Sequence, residues 1–290
     1  MRLFDAIVTG LAQGSMIALV ALGYTMVYGV LRLINFAHSE VFMMAAYAGL
    51  FATAALGGAA NPLVAGALGT MFAMIAASML GLLIERLAYR PLRGRGAGAI
   101  VRVTPLVTAI GCSVFLQNLA QLLFTARFRP YPRLFEHTRA LIFVTAIVVM
   151  VALELIVKRT WFGKALRALS ANEEAARLMG IRAGRVIATT FALGSSLAAI
   201  GAVLYCLDQS QAYPTMGTVI GTRAFVAAVL GGIGSIPGAM LGGLLLGVLG
   251  ELVKLTDYSG GVDVLVFLVL IVVLLARPTG LLGRPGTTKV

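Results

Sequence analysis

Five stretches of this chain run without a single charged residue for longer than a bilayer's hydrocarbon core is thick: Ala6 to Leu31, Val41 to Ile84, Val103 to Ala126, Val186 to Leu207 and Ala224 to Gly250. About 20 apolar residues carry a helix across that core, so the second stretch is long enough for two crossings. Only helices and closed barrels satisfy their backbone hydrogen bonds in lipid. A barrel would show short segments of alternating polarity, and this chain has none of that rhythm. Composition agrees: 60% of residues are hydrophobic and 12% charged, against about 45–50% and 25% in soluble domains. The chain is read as an all-α polytopic membrane protein, one domain over 1–290. It is a helical bundle of about eight to nine transmembrane elements, broken helices included.

Spans are predicted near 6–31, 41–60, 62–84, 103–125, 140–157, 186–207, 224–233, 237–250 and 263–276. The first is a retained span, because its apolar run is too long for a signal peptide and only Arg2 precedes it as a basic lead. The seventh and eighth share one apolar run, AFVAAVLGGIGSIPGAMLGGLLLG, interrupted by Gly231, Gly232, Gly234 and Pro237. It reads either as one kinked helix or as two helices with a turn inside the membrane.

The net charge is +12. In a membrane protein that excess is topological, since Lys and Arg collect in cytoplasmic loops; no nucleic-acid partner is expected. Taking 32–40, 85–102, 158–185 and 277–290 as cytoplasmic places 16 of the 23 basic residues on one side. This puts the N-terminus out and the C-terminus in. It requires an odd number of crossings, which favours the broken-helix reading. The arginines between Arg127 and Arg139 run against the rule. Cys112 and Cys206 both fall inside spans and read as small buried hydrophobes.

Enzymatic signatures are missing. Gly163-Lys164 lacks the upstream glycine of a phosphate loop. His38 and His137 have no ligand partner at metal spacing. No nucleophile elbow or carboxylate pair appears. Neither a metal nor a cofactor is expected in this chain, so uphill movement would draw its energy from a partner or an ion gradient.

The most polar segment is SANEEAARLMGIRAGRV, Ser170 to Val186. Ser170 with Glu173 has the spacing of a capping box, predicting a helix from Ala171, and Gly180 predicts its stop. About nine residues are too few for a helix to stand alone. Ala171, Ala175, Leu178 and Met179 share one face, and Glu173 pairs with Arg177 on another. The segment therefore either docks into another protein or lies on lipid headgroups.

Polar residues inside spans are candidates for a translocation path. Asn35, His38 and Glu40 lie between the first two elements, either as pathway groups or as a cytoplasmic turn marked by Arg32 and Glu40. Gln117, Asn118 and Gln121 sit in the fourth span, as interhelical hydrogen-bonding groups or as the lining of a wet cavity. The turn from Gly231 through Gly232 and Gly234 to Gly238 could present backbone groups to a zwitterion. Glu154 is placed near a span end, pairing with Lys158.

Several segments, taken in order, resemble one family. They are GYTMVYGVLRLINFAHSEVFMMAAY (Gly23 to Tyr47), ERLAYRPLRG (Glu85 to Gly94), FGKALRALSANEEAARLMGI (Phe162 to Ile181), AFVAAVLGGIGSIPGAMLGG (Ala224 to Gly243) and RPTGLLG (Arg277 to Gly283). The family is the permease of the branched-chain amino acid ABC transporter, of the shorter of its two permease types. EEAARLMG resembles the EAA loop of ABC importers. The resemblance implies a coupling helix formed by Glu174, Ala175, Ala176, Arg177, Leu178, Met179 and Gly180, within a cytoplasmic loop at 158–185. It also implies a longer homologous permease subunit, two ATPase subunits that carry ATP-Mg, a periplasmic binding protein and a bacterial inner-membrane location. One departure stands out: the NFAHG-like motif reads NFAHS, so a tight turn at Ser39 is in question.

The function expected is passage of branched-chain amino acids. The same machine could carry another small polar cargo such as urea, amides or other amino acids. An ion-coupled secondary transporter would want a carboxylate at mid-span, and this reading places none there. A membrane enzyme would need a catalytic constellation that is missing.

Overall fold

In the computed structural model, the residues described are 2–56, 61–92, 99–132, 134, 138–256 and 259–283. Eleven α-helices account for nearly all of them: α1 (Arg2–Leu31), α2 (His38–Leu56), α3 (Pro62–Ile84), α4 (Ala99–Phe124), α5 (Thr138–Arg159), α6 (Trp161–Ala171), α7 (Glu173–Leu178), α8 (Ala183–Gln209), α9 (Met216–Gly231), α10 (Ile236–Lys254) and α11 (Val262–Ala276). Seven of them are long and apolar enough to cross a membrane, and α9 and α11 are shorter apolar helices. The structure has the all-α polytopic architecture expected, and 224–250 is two helices.

Glycine sets how the bundle packs. The most extensive interface is α1 against α10. Along it, a Cβ on Gly10 would come 2.7 Å from Val248 Cα, and one on Gly243 would come 2.6 Å from Ala18. In lipid no hydrophobic force drives helices together, so this close backbone approach supplies the dispersion contact that does. Hydroxyls add to it: Ser78 Oγ of α3 meets Ser196 Oγ of α8 at 2.7 Å. The centre is formed by α1, α2, α8 and α9, whose side chains are mostly buried. By contrast α3, α4, α5 and α11 turn apolar residues such as Phe72, Phe115, Val148 and Ile271 outward.

Three predicted boundaries move. α9 begins at Met216, well before Ala224, because Arg223 does not end the span: its guanidinium meets Asp263 Oδ1 of α11 at 2.7 Å. Arg223 is therefore a helix residue and not part of an external loop. The loop predicted from residue 85 starts later, since α3 continues through a π-helical turn, Glu85–Tyr89, and a 3-10 turn to Leu92. Of residues 32–40, Arg32 is exposed while Asn35 and Ala37 to Glu40 are buried in the bundle, as described below.

At one end, β1 (Arg129–Pro130) pairs antiparallel with β2 (Gln211–Ala212). The basic residues there are partly accounted for. Arg129 Nε donates to Phe124 O at 3.1 Å, and its guanidinium lies 5.6 Å from the ring centre of Phe51. Arg133 and His137 lie outside the described residues. At the opposite end sit α6, α7, the α9–α10 turn and the segment after α11.

The α9–α10 turn shows how tightly that end is built. Gly232 and Gly234 have φ of 102° and 93°, which only glycine adopts without strain. Ser235 caps α10 by accepting the Gly238 N–H at 3.2 Å. Ser235→Ala removes this cap and is expected to lower stability by about 1 kcal/mol, read as a lower thermal midpoint in detergent with unchanged helicity.

Candidate functional site

The site is built by the segment that joins α1 to α2. α1 ends at Leu31, and the φ of 52° at Arg32 is left-handed. The chain then folds back into the bundle. Asn35 Oδ1 accepts the Ala37 N–H at 3.1 Å and the Tyr89 hydroxyl at 3.0 Å. This side-chain turn substitutes for a backbone turn. α2 starts at His38, already inside the bundle. Asn35, His38 and Glu40 are 3%, 2% and 1% exposed. A cytoplasmic turn would leave them in water, so that reading is corrected. His38 fills the hollow left by Gly23, with its ring edge-on to Tyr24 at 4.9 Å between centres.

Ser39 lies in the first turn of α2 in ordinary helical backbone. No tight turn forms there, so the departure from glycine costs nothing in backbone conformation. Its Cβ rests against Gly221 of α9, where a second Cβ would overlap it.

Glu40 is the central group. Its Oε1 accepts from Ser113 Oγ and Thr218 Oγ1, each at 3.4 Å, both long contacts; Ser39 Oγ lies 3.5 Å away and gives its proton to Phe36 O at 2.7 Å. Glu40 Oε2 is buried and has no hydrogen-bond partner. Gly217 makes room for this oxygen, since a Cβ there would come 2.8 Å from it. Ser113 falls in the middle of α4, so a carboxylate does sit at mid-span after all. The sequence reading that placed none there is corrected. Buried carboxylates are costly in membranes and are kept where something pairs with them.

Around Glu40 lies a cavity of about 150 Å³, lined by Tyr24, Phe36, Ser39, Ser113, Thr218, Gly221, Thr222 and Phe225. Gln117 touches its rim, donating from Nε2 to Thr218 Oγ1 at 3.3 Å. Asn118 faces away and donates to Val114 O of its own helix at 2.8 Å. Gln121 is on the exposed side of α4. The structure therefore joins Gln117 and Glu40 to one site and separates Asn118 and Gln121 from it.

Gly231, Gly232 and Gly234 are separate too. The Leu281 and Leu282 N–H groups donate to Leu230 O and Gly231 O, each at 2.9 Å. The segment after α11 thus takes up the Gly231 carbonyl, and the Gly232 carbonyl accepts the Ser235 N–H at 3.0 Å.

The segment 170–186 forms a knob at the same end. Ser170 closes α6 and does not cap α7. The cap is Asn172, whose Oδ1 accepts the Ala175 N–H at 3.0 Å. Ser170 is otherwise engaged: its Oγ donates to Gly29 O at the end of α1, and its carbonyl accepts from Arg32 Nη2 at 3.0 Å. Gly180 does end α7, with φ of 83°, its N–H donating to Arg177 O and the Ile181 N–H to Ala176 O, both at 3.0 Å. These two bonds are the Schellman stop. Ala176 is the buried residue of α7, while Ala171, Ala175, Leu178 and Met179 are all exposed, Leu178 and Met179 at 85% and 83%. Glu173 and Arg177 pair at 2.6 Å on the surface, and Glu174 and Ala175 are exposed.

A multi-pass helical bundle with a largely apolar cavity around one carboxylate and a capped, outward-facing helical knob fits a membrane permease. The chain matches the model of the family described as branched-chain amino acid transport system, permease component, over residues 6–275, and it belongs to that family. It is 43% identical to the high-affinity branched-chain amino acid transport system permease protein BraD of Pseudomonas aeruginosa, covering 98% of this chain and 97% of that one. It is 41% identical to the corresponding protein LivH of Escherichia coli, covering 97% and 96%. A stretch is 31% identical to the ribose import permease protein RbsC of Bacillus subtilis, covering 46% and 44%. No solved structure matches the chain.

Ser113, Thr218, Tyr24 and Phe225 are site residues that the sequence reading did not assign to the path, and Glu40 was left between pathway and turn. A signal existed: Glu40 directly precedes the long uncharged run to Ile84, and follows an amide and an imidazole within five residues.

Proposed function

We propose that this chain is the membrane-embedded subunit of an ABC importer, passing branched-chain amino acids handed over by a periplasmic binding protein. ATP-Mg is bound and hydrolysed by two separate ATPase subunits that dock on α7, and a longer homologous permease completes the pathway. On this reading the end carrying α6 and α7 is cytoplasmic in the bacterial inner membrane, with the N-terminus outside and the C-terminus inside. The observation that carries the reading is the near full-length similarity to permeases of this transport system. The exposed Leu178 and Met179 support the docking surface, since large apolar residues raised on a capped helix mark a protein contact.

The test is reconstitution with the ATPase, permease and binding-protein genes of the same transport system in proteoliposomes. ATP-dependent, binding-protein-dependent uptake of labelled leucine, isoleucine or valine is expected. Uptake driven by an ion gradient without ATP would overturn the reading. Uptake of another cargo alone would change the substrate and leave the machine.

A further inference from the structure

We propose that the cavity at Glu40 is a recognition station for the primary ammonium group of the cargo in transit; this rests on the function proposed above. The argument begins with what Glu40 lacks. One carboxylate oxygen is surrounded by three hydroxyl groups, Ser39, Ser113 and Thr218. The other is buried and has no hydrogen-bond partner, and the Glu40 side chain lines the cavity. Ser113 and Thr218 donate to Oε1, so the second oxygen keeps its accepting capacity for a group that enters.

The lining then selects the ligand. The remaining walls are Tyr24, Phe36 and Phe225, with Gly221 and Thr222. Among the described residues no Lys, Arg or His lines the cavity, so none of them attracts a carboxylate or phosphate there. An anionic acceptor set among aromatic side chains suits a compact cation carrying apolar substituents. Volume agrees: about 150 Å³ accommodates a benzene-sized group, which is the ammonium, α-carbon and first side-chain carbons of a small aliphatic amino acid.

Placement agrees as well. The cavity draws on α1, α2, α4 and α9, so a motion between these helices opens or closes it. Glycines at 217 and 221 keep α9 close enough for Thr218 to reach Glu40.

Two arms test the proposal in the complete complex. The first is uptake by Glu40→Gln and Glu40→Asp. The amide keeps the shape and loses the charge, and uptake is expected to fall about 10- to 100-fold, as for loss of one charge-assisted hydrogen bond. The aspartate is expected to fall between it and the wild type. Subunit composition and ATPase stimulation by loaded binding protein should stay unchanged. Uptake by Glu40→Gln within about twofold of wild type would overturn the proposal.

The second arm does not depend on uptake or on Glu40 substitution. Thr218→Cys, in a background carrying Cys112→Ala and Cys206→Ala, is labelled with a small methanethiosulfonate. We expect 3-methylbutylamine to slow labelling several-fold and 4-methylpentanoate to leave it alone. No labelling, equal protection by the carboxylate, or equal protection by sodium ion would each overturn the ammonium assignment. A wild-type complex that imports no branched-chain amino acid would sink the function reading, and the labelling arm would still decide the cavity.

Discussion

Gly247→Val is expected to destabilise the bundle more than any other substitution proposed for it. A Cβ at Gly247 would fall on the Gly14 backbone and the Gly10 carbonyl of α1. Neither is a flexible side-chain end, so relief requires α1 and α10 to separate along their whole seam. Overpacking a well-packed core costs about 1–3 kcal/mol, sometimes more, and a backbone obstacle belongs at the upper end. That magnitude corresponds to a fall in thermal midpoint of roughly 10 °C for a chain of this size, measured in detergent by scanning fluorimetry or size-exclusion recovery. Gly184→Ala is the control. Nothing lies within 4 Å of a Cβ there, so its midpoint should not move. Equal behaviour of the two variants would show that the seam does not hold the bundle.

The seam also shows what could be read without a structure. Uncharged runs of bilayer length fix the number of elements and their helical nature, because lipid leaves the backbone no other choice. The glycines announce close packing but not its partners. Gly14 and Gly247 meet although most of the chain lies between them, and no local pattern encodes that. Charge is a reliable marker of span ends only when it stays unpaired. Arg223 broke that rule by meeting Asp263 across helices, and Glu40 broke it by entering the bundle with α2. The cap of α7 failed differently. Ser170 and Asn172 both suit a helix start, and the tertiary bond from Ser170 to Gly29 took the first of them away.

Leu178→Asp combined with Met179→Asp is expected to leave the permease folded and to disconnect it from its ATPase. Both side chains are more than four-fifths exposed, and surface substitutions of this kind change stability by only about 0.5 kcal/mol. The thermal midpoint should therefore match the wild type, in direct contrast to Gly247→Val. If α7 enters a cleft on the ATPase, two apolar anchors become charged inside a contact. Loss of such anchors costs about 2 kcal/mol or more each, so affinity for the ATPase, read by co-purification and ATP-driven uptake, should fall on the order of 1,000-fold. Gly180→Asp tests the same contact from the stop of the helix, where φ is 83° and nothing lies within 4 Å of a Cβ. The force path inward is short. α7 follows α6, and α6 is tied to the end of α1 by Ser170 on Gly29 and by Arg32 on Ser170. From Arg32 the chain runs through Asn35 into His38 and Glu40. On the docking proposed above, a displacement of α7 would reach Glu40, which lines the cavity, within ten residues of the α1 terminus. Arg32→Ala should separate the two ends of this path, keeping ATPase binding while reducing uptake. ATPase binding and uptake both unchanged in the Leu178 and Met179 double variant would remove α7 from the coupling role.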